Sequence, residues 1–157
     1  MPESRNRATG RVSQTQKDSR SGIVITLTIY TEPVAKARAR TVVNNGKVHS
    51  FTPAKTAIAE DVIRYEIVQH YQAPPYPAKK PLALTVVFVC AKPVSKPKKT
   101  IYPVCKPDTD NYIKTLLDAG NHYLWHDDSQ IVSITASKIY GDRPRIYLTL
   151  TEISNSK

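Results

Sequence analysis

The chain has few cysteines and no long apolar run, and each scarcity excludes a class of protein. The two cysteines, Cys90 and Cys105, lie fifteen positions apart without a Cys-x-x-Cys pair, which excludes a zinc ribbon, a thioredoxin-like motif and a disulfide scaffold. The longest apolar stretch, Leu82 to Ala91, is far shorter than the ~20 residues that a membrane helix needs. The N-terminus lacks the apolar segment of a secretory signal. We therefore expect a cytoplasmic protein that does not enter a membrane.

Acidic residues are also scarce. The chain has 157 residues, of which 23 are Lys or Arg and 13 are Asp or Glu, giving a formal net charge of +10. A chain of this length can bury roughly 70% of its unfolded surface and fold as one domain without a structural metal. The excess positive charge favours a polyanionic partner, and by itself leaves DNA, RNA and anionic surfaces open.

Composition divides the chain into two segments. Residues 1–22 have almost no large apolar side chain and are rich in Ser, Arg, Thr and Gln. Such a segment cannot offset the entropy of ordering, so we predict a disordered basic N-terminal arm. Residues 23–153 carry the periodic patterns of a folded domain.

The folded segment is predicted to be a small α+β domain with a mixed sheet and two main helices. The elements are strands at 23–30, 82–90, 131–140 and 145–152, a helix at 53–70 and a second helix from Asp108. The near-continuous apolar character of residues 82–90 indicates a strand buried on both faces. The last two strands flank a Gly141–Pro144 turn and are expected to pair antiparallel.

Two segments combine several basic residues with no acidic residue. Residues 36–55 contain five basic residues around an Asn44-Asn45-Gly46 turn, and residues 92–106 contain five lysines and three prolines. The first is predicted to be a basic ribbon or loop and the second an exposed loop that contacts phosphate. The predicted DNA-binding residues are Lys36, Arg38, Arg40, Lys96, Lys98, Lys99 and Lys106.

Five of the thirteen acids fall between residues 108 and 128: Asp108, Asp110, Asp118, Asp127 and Asp128. An ordinary explanation exists for the first two, because acids near a helix start cap backbone N–H groups and favour the dipole. However, two carboxylates about 4 Å apart repel by roughly 4 kcal/mol at an effective dielectric of about 20. A convergent group of them therefore favours a divalent cation or a raised pKa. Oxygen ligands suit Mg²⁺ or Mn²⁺, and such an ion between basic loops would serve phosphodiester hydrolysis.

The motif that contains these acids is specific as a whole. It reads KPDTDN at 106–111, then Lys114, LDA at 117–119 and LWHDDSQI at 124–131. This pattern resembles the signature of the RusA family of Holliday junction resolvases, found in bacteria and their prophages. The resemblance extends more loosely from Ile23 to Glu152. It implies a homodimeric, Mg²⁺-dependent endodeoxyribonuclease, with Mn²⁺ as a possible substitute, that makes paired nicks in four-way or branched DNA during recombination and repair.

The same resemblance implies a catalytic group. Asp108, Asp110 and Asp128 carry over as catalytic metal ligands, and Lys114 carries over as a catalytic lysine that acts as a base or stabilises charge. Two-fold symmetry suits a junction with two strands to cut. The sequence leaves open whether apolar helix faces or an edge strand form the dimer interface.

Three further residues are expected to support this catalytic group: Asn111, Asp118 and Asp127. Asn111 is expected to orient a carboxylate or the helix start, and Asp118 to hold the Lys114 ammonium through an i,i+4 pair. Asp127 matches a recurrent position of less certain role. Gly120 departs from the leucine usual in the family, and it predicts that the helix ends or bends there.

Two other functions would explain part of this sequence. A non-catalytic nucleic-acid-binding protein would explain the basic loops, but it leaves the acids unexplained because they oppose phosphate binding. A haloacid-dehalogenase-like phosphatase would use Asp108 and Asp110 as nucleophile and acid/base. That fold needs an apolar strand directly before the first aspartate, where this chain has residues PVCKP at 103–107.

Overall fold

The computed structural model describes residues 14–17 and 23–154. Nine elements of regular structure follow one another in this part of the chain. They are β1 (Gln14–Lys17), β2 (Ile23–Ile29), β3 (Arg40–Asn44), β4 (Lys47–Phe51), α1 (Ala54–His70), β5 (Leu82–Ala91), α2 (Thr109–Gly120), β6 (Ile131–Gly141) and β7 (Arg145–Glu152), with a short 3-10 turn at Asp128–Gln130. No helix in the described ranges is both long enough and apolar enough to span a bilayer.

Five strands form one sheet in the order β1-β2-β7-β5-β6. All neighbouring strands are antiparallel except β5 and β6, which run parallel. Strands β3 and β4 form a separate two-stranded antiparallel ribbon, closed by a turn in which Asn45 and Gly46 both have positive φ. The predicted α+β domain with a mixed sheet and two main helices is therefore confirmed.

The expected pairing of the last two strands is wrong. Strand β5 lies between β6 and β7, and it pairs with both of them along most of its length. The three residues between Gly141 and Arg145 therefore cross over the end of β5 instead of forming a tight hairpin. This arrangement gives β5, the most apolar strand, hydrogen-bonded neighbours on both sides and leaves the more exposed β6 at the edge.

The core lies on one face of this sheet, beneath the two helices. Alternate residues of three strands point into it, namely Ile25, Leu27 and Ile29 of β2, Leu82, Leu84, Val86 and Phe88 of β5, and Ile146, Leu148 and Leu150 of β7. The opposite face is less covered, since Thr85 of β5 is exposed. Burial of β5 on both faces, expected from its composition, is thus found only near its C-terminal end, where Phe88, Val89 and Cys90 are all buried, because helices cover only one side of the sheet.

Helix α1 is apolar on two sides. Its buried side presents Ile63 and Ile67 to the core together with three smaller or polar residues, Thr56, Ala59 and Glu60. The apolar residues that predict the helix by their spacing, Ile58, Val62, Tyr65 and Val68, are all exposed. The helix is confirmed, with Pro53 as its N-cap, and its second apolar stripe faces outward.

Strand β1 lies within the segment predicted to be a disordered arm. Residues Gln14–Lys17 pair antiparallel with β2 from Thr26 back to Ile23, so the prediction does not hold for these four residues. The rest of the arm, 1–13 and 18–22, lies outside the described residues, and its disorder stays a prediction.

Candidate active site

The first group of site residues lies at the start of α2. Asp108 is the N-cap residue, with extended backbone angles, yet its side chain makes no capping hydrogen bond. Asp108 and Asp110 are both exposed. The ordinary explanation, a carboxylate used to cap the helix, therefore does not account for Asp108, whose oxygens stay available to a ligand.

Lys114 lies one turn further along the same face of α2. Its Nζ is 3.2 Å from Oδ2 of Asp110, and both side chains are exposed. Hydrophobic contacts hold the opposite face of the helix, where Tyr112 stacks on Phe88 with 5.3 Å between ring centroids. Leu116 and Ala119 are fully buried below it. Because this buried face packs on the core, the other face of α2 presents Asp108, Asp110 and Lys114 to solvent.

Lys138, on strand β6, holds the backbone just before Asp108 in place. Lys138 of β6 donates hydrogen bonds from Nζ to the carbonyl oxygens of Cys105 and Pro107, at 2.7 and 2.8 Å. The loop that precedes α2 is thereby held at the end of β6. Sequence reasoning missed Lys138, because nothing in its neighbourhood distinguishes it from other basic residues on strands.

The far end of α2 is closed by Trp125. Helix α2 ends at Gly120, as predicted, where an added Cβ atom would overlap Cζ2 of Trp125. The indole is fully buried and donates from Nε1 to Oδ1 of Asn121 at 2.9 Å. Trp125 is thus a core residue, and it fixes where the next segment begins.

The second group of acids lies in the turn after Trp125. Asp127 caps the 3-10 turn by accepting a hydrogen bond from the backbone N–H of Ser129 at 2.9 Å. Hydrogen bonds from Ser129 hold the pKa of the Asp127 carboxyl below its usual value. Asp127 is exposed and Asp128 is partly exposed.

Gln130 organises this turn from beneath. Its Oε1 accepts hydrogen bonds from the backbone N–H groups of His126 and Asp127, at 2.8 and 3.1 Å. Its Nε2 donates to the carbonyl oxygens of Pro77 and Lys80, at 2.7 and 3.1 Å. The residue is buried, with 7% of its surface exposed. Sequence reasoning assigned it no role, although an acid followed three positions later by Gln is the pattern of a capping box.

The two acidic groups lie at opposite ends of the sheet. Asp108 follows Pro107, which is held by Lys138, whereas Asp128 comes just before Ile131 at the start of the same strand. Seven residues of β6 separate Lys138 from Ile131, and a strand rises about 3.3 Å per residue, so the groups are roughly 20 Å apart. Within one chain, the structure does not bring Asp128 to Asp108 and Asp110.

The predicted three-carboxylate metal site is therefore not complete in a single chain. Among the described residues, no three His, Cys, Asp or Glu side chains are close enough together to hold a metal ion. Asp108 and Asp110 form half of such a site, with the oxygen donors that Mg²⁺ accepts. The ligand roles of all three aspartates stay predictions.

Asp118 does not hold Lys114, and that expectation is wrong. Its Oδ2 lies 2.7 Å from Nζ of Lys36, while Lys114 is paired with Asp110 instead. Lys36 comes from the segment before β3, which passes between α1 and α2. Asn111, the third residue assigned a supporting role, accepts a backbone hydrogen bond from the N–H of Lys36 at 2.8 Å through its carbonyl oxygen.

The other predicted DNA-binding residues lie on two exposed surfaces. Arg38 comes just before the ribbon formed by β3 and β4, and Arg40 is the first residue of β3. The loop between β5 and α2 carries exposed Lys96, Lys98, Lys99 and Lys106. This loop ends at Asp108, so one basic surface adjoins the first acidic group directly.

Comparison with known proteins shows the family of this chain. The family model for endodeoxyribonuclease RusA matches residues 31–151. The chain is also similar to "Uncharacterized protein YqaN" of Bacillus subtilis (strain 168), with 36% identity over 138 residues that cover 83% of this chain and 97% of that protein. The family match spans both acidic groups, both basic surfaces, strands β5 and β6, and all of β7 except its last residue. The chain belongs to the RusA endodeoxyribonuclease family.

Proposed function

We propose that this protein is a Mg²⁺-dependent endonuclease that resolves Holliday junctions by paired nicking of DNA phosphodiesters in recombination and repair. The observation that carries the proposal is the exposed group Asp108, Asp110 and Lys114 directly after a lysine-rich loop. Acids on a DNA-binding surface oppose phosphate unless a cation intervenes, so their place at this point needs a metal-dependent function. The protein would work on chromosomal or prophage DNA in the cytoplasm.

A homodimer would complete the metal site. Because Asp108 and Asp128 are roughly 20 Å apart within one chain, a third carboxylate beside Asp108 and Asp110 would have to come from a second chain. In a two-fold dimer, Asp128 of a second copy can face Asp108 and Asp110 of the first, and symmetry then makes two equal sites. This arrangement reconciles the three predicted ligands with their positions, and it supplies one site for each of the two strands cut in a junction.

Each site residue has a defined task in this proposal. Asp108 and Asp110 would hold Mg²⁺ together with Asp128 of the second copy. A bound Mg²⁺ ion polarises a phosphodiester and lowers the pKa of a water molecule. Lys114 is exposed and can turn its ammonium from Asp110 to a phosphate oxygen, where positive charge stabilises the negative charge that develops during cleavage. The basic ribbon and the lysine-rich loop would bind the DNA backbone on either side.

The direct test is cleavage of a synthetic four-way junction by the purified protein with Mg²⁺ or Mn²⁺. We expect symmetric nicks in two opposing strands, and none when the metal is chelated. An intact junction after incubation of folded protein with either metal would contradict the proposal. Mixing Asp108→Asn protein with Asp128→Asn protein tests the shared site, because a mixed dimer regains one complete site whereas each variant alone has none.

The same experiment separates the nuclease from a non-catalytic DNA-binding protein. Asp108→Ala removes a negative charge, so a simple binding protein should keep or improve its affinity and show no cleavage before or after the change. A nuclease should keep junction binding and lose metal-dependent cleavage. Gel-shift and cleavage assays on the same junction distinguish these results.

A further inference from the structure

We infer that Lys36 is not a DNA contact but a tie that holds the base of the ribbon formed by β3 and β4 against both helices, with Asp118 and Glu60 as its anchors. This inference rests on the proposed function only in that the ribbon is taken to bind DNA. It assigns positioning roles to two acids: Asp118, which belongs to the family signature, and Glu60, which lies outside it.

The contacts of Lys36 join three elements. Its Nζ lies 2.5 Å from Oε1 of Glu60 on α1 and 2.7 Å from Oδ2 of Asp118 on α2. Its backbone N–H donates to the carbonyl oxygen of Asn111 at 2.8 Å. The next residue, Ala37, donates its N–H to Oγ1 of Thr56 at 3.2 Å. One short segment is thus fixed to the first turns of α1 and to both ends of α2.

The ribbon needs such a fixed base. All ten residues of β3 and β4 are exposed, including Val43 and Val48, which are about 70% exposed. An isolated two-stranded ribbon is marginally stable in water and gains no direction from packing. One strand of the ribbon continues within three residues into α1, and the other is preceded by Lys36 and Ala37. Its angle to the body is therefore set where these two ends attach.

The charges around Lys36 disfavour a direct contact with phosphate. Only 25% of its side chain is exposed, and Glu60 is nearly buried. Burial alone would lower the pKa of Lys36, but hydrogen bonds and charge from Asp118 and Glu60 raise it above its usual value. Arg64 also contacts Glu60, at 3.3 Å. A lysine shared between two carboxylates has little free charge to offer, and a phosphate brought to it would meet two negative groups.

Asp118→Asn tests the tie because the two possible roles of Lys36 predict opposite changes in the affinity for DNA. If Lys36 contacts DNA, removing the carboxylate frees its charge and strengthens binding. If Lys36 is a tie, the ribbon loses its position and affinity for a four-way junction falls by about threefold to tenfold, the range expected for residues in one ion-pair network. Binding is measured by fluorescence anisotropy with Ca²⁺ in place of Mg²⁺, so that no cleavage is needed.

Asp61→Asn is the matched control. It makes the same change in charge on an exposed residue of α1 whose partner is Arg64, and we expect unchanged or slightly stronger binding. Glu60→Gln should weaken binding as Asp118→Asn does. In the double variant Lys36→Met/Asp118→Asn, the loss should be less than the sum of the two single losses. Unchanged or stronger binding by Asp118→Asn, or additive losses in the double variant, would overturn the tie.

Amide hydrogen exchange tests, without DNA, whether the contacts of Lys36 hold the ribbon in place. Residues 36–51 should exchange faster in Asp118→Asn than in Asp61→Asn, while β5 and β7 stay equally protected. Equal exchange of the ribbon in both variants would refute the inference. A wrong nuclease proposal would give a different result. The wild-type protein would then bind a junction without cutting it, while Asp118→Asn and Asp61→Asn would still differ in DNA binding and in hydrogen exchange.

Discussion

The ammonium of Lys114 lies 3.2 Å from a carboxylate oxygen of Asp110, one helical turn before it. Both side chains are about 60% exposed, and an exposed pair of this kind stabilises a helix by only a few tenths of a kcal/mol. The pair is therefore weak enough to be exchanged for stronger partners, a metal ion for Asp110 and a phosphate for Lys114. Changes at either residue should affect chemistry far more than folding.

Asp110→Asn and Lys114→Met are expected to separate activity from stability. The free energy of unfolding should change by less than about 0.5 kcal/mol, as for other exposed surface positions. Single-turnover cleavage of a four-way junction should fall by about 100-fold or more, the usual loss when a charge-stabilising group is removed. Asp61→Asn is the control for the change in charge and should cleave normally. Near-normal cleavage by either site variant would remove these residues from the catalytic group.

Gln130→Ala should affect both folding and metal dependence. Loss of the side chain leaves the carbonyl groups of Pro77 and Lys80 without their donor, which costs about 1 to 3 kcal/mol. It also releases the turn that carries Asp128, so the Mg²⁺ concentration for half-maximal cleavage should rise. Urea unfolding and a metal titration measure the two effects.

Tyr76→Phe is the matched control for this change. It removes a hydrogen bond from the Tyr76 hydroxyl to the carbonyl of Ile23 without touching the Asp127–Gln130 turn. We expect it to lower stability and to leave the Mg²⁺ requirement unchanged. An equal shift in the metal requirement of both variants would mean that Gln130 acts through stability alone.

Arg38→Ala and Arg40→Ala are expected to weaken junction binding in a salt-dependent way. Both residues are exposed at the entrance to the ribbon. Removing an arginine that binds one phosphate should reduce the slope of log affinity against log salt by about 1. Anisotropy titrations between low and moderate salt measure the slope. Lys80→Ala, which removes a lysine already paired with Glu152 at 2.7 Å, should keep the wild-type slope, and an unchanged slope in both arginine variants would place the DNA elsewhere.

Gly120→Ala should destabilise the protein although alanine is the better helix former. The added Cβ would overlap the Trp125 ring, and overpacking of this kind costs about 1 to 3 kcal/mol. Chemical denaturation measures the loss. In a Trp125→Phe background the same change should cost less, because the clashing atoms are gone. Equal losses in the two backgrounds would mean that another contact is responsible.

Local features of the chain were well predicted by the sequence. The alternation of Ile25, Leu27 and Ile29 identified β2, and the spacing of apolar residues identified both helices. The composition of residues 92–106 identified an exposed basic loop, and the motif between Lys106 and Ile131 identified the family. These features depend on neighbours within a few positions, where backbone propensity and side-chain chemistry act directly.

Relationships between distant segments were decided by the tertiary structure alone. The length of β6 between Lys138, which holds Pro107, and Ile131, which follows the Asp128 turn, sets Asp128 far from Asp108, although only twenty positions separate them in the sequence. The path of the segment before β3 brings Lys36 to Asp118, which removes Asp118 from Lys114. The sequence thus determined which chemical groups this protein has and which local structures carry them. Strand order and helix packing decided which groups meet, because those depend on long-range burial that no local pattern encodes.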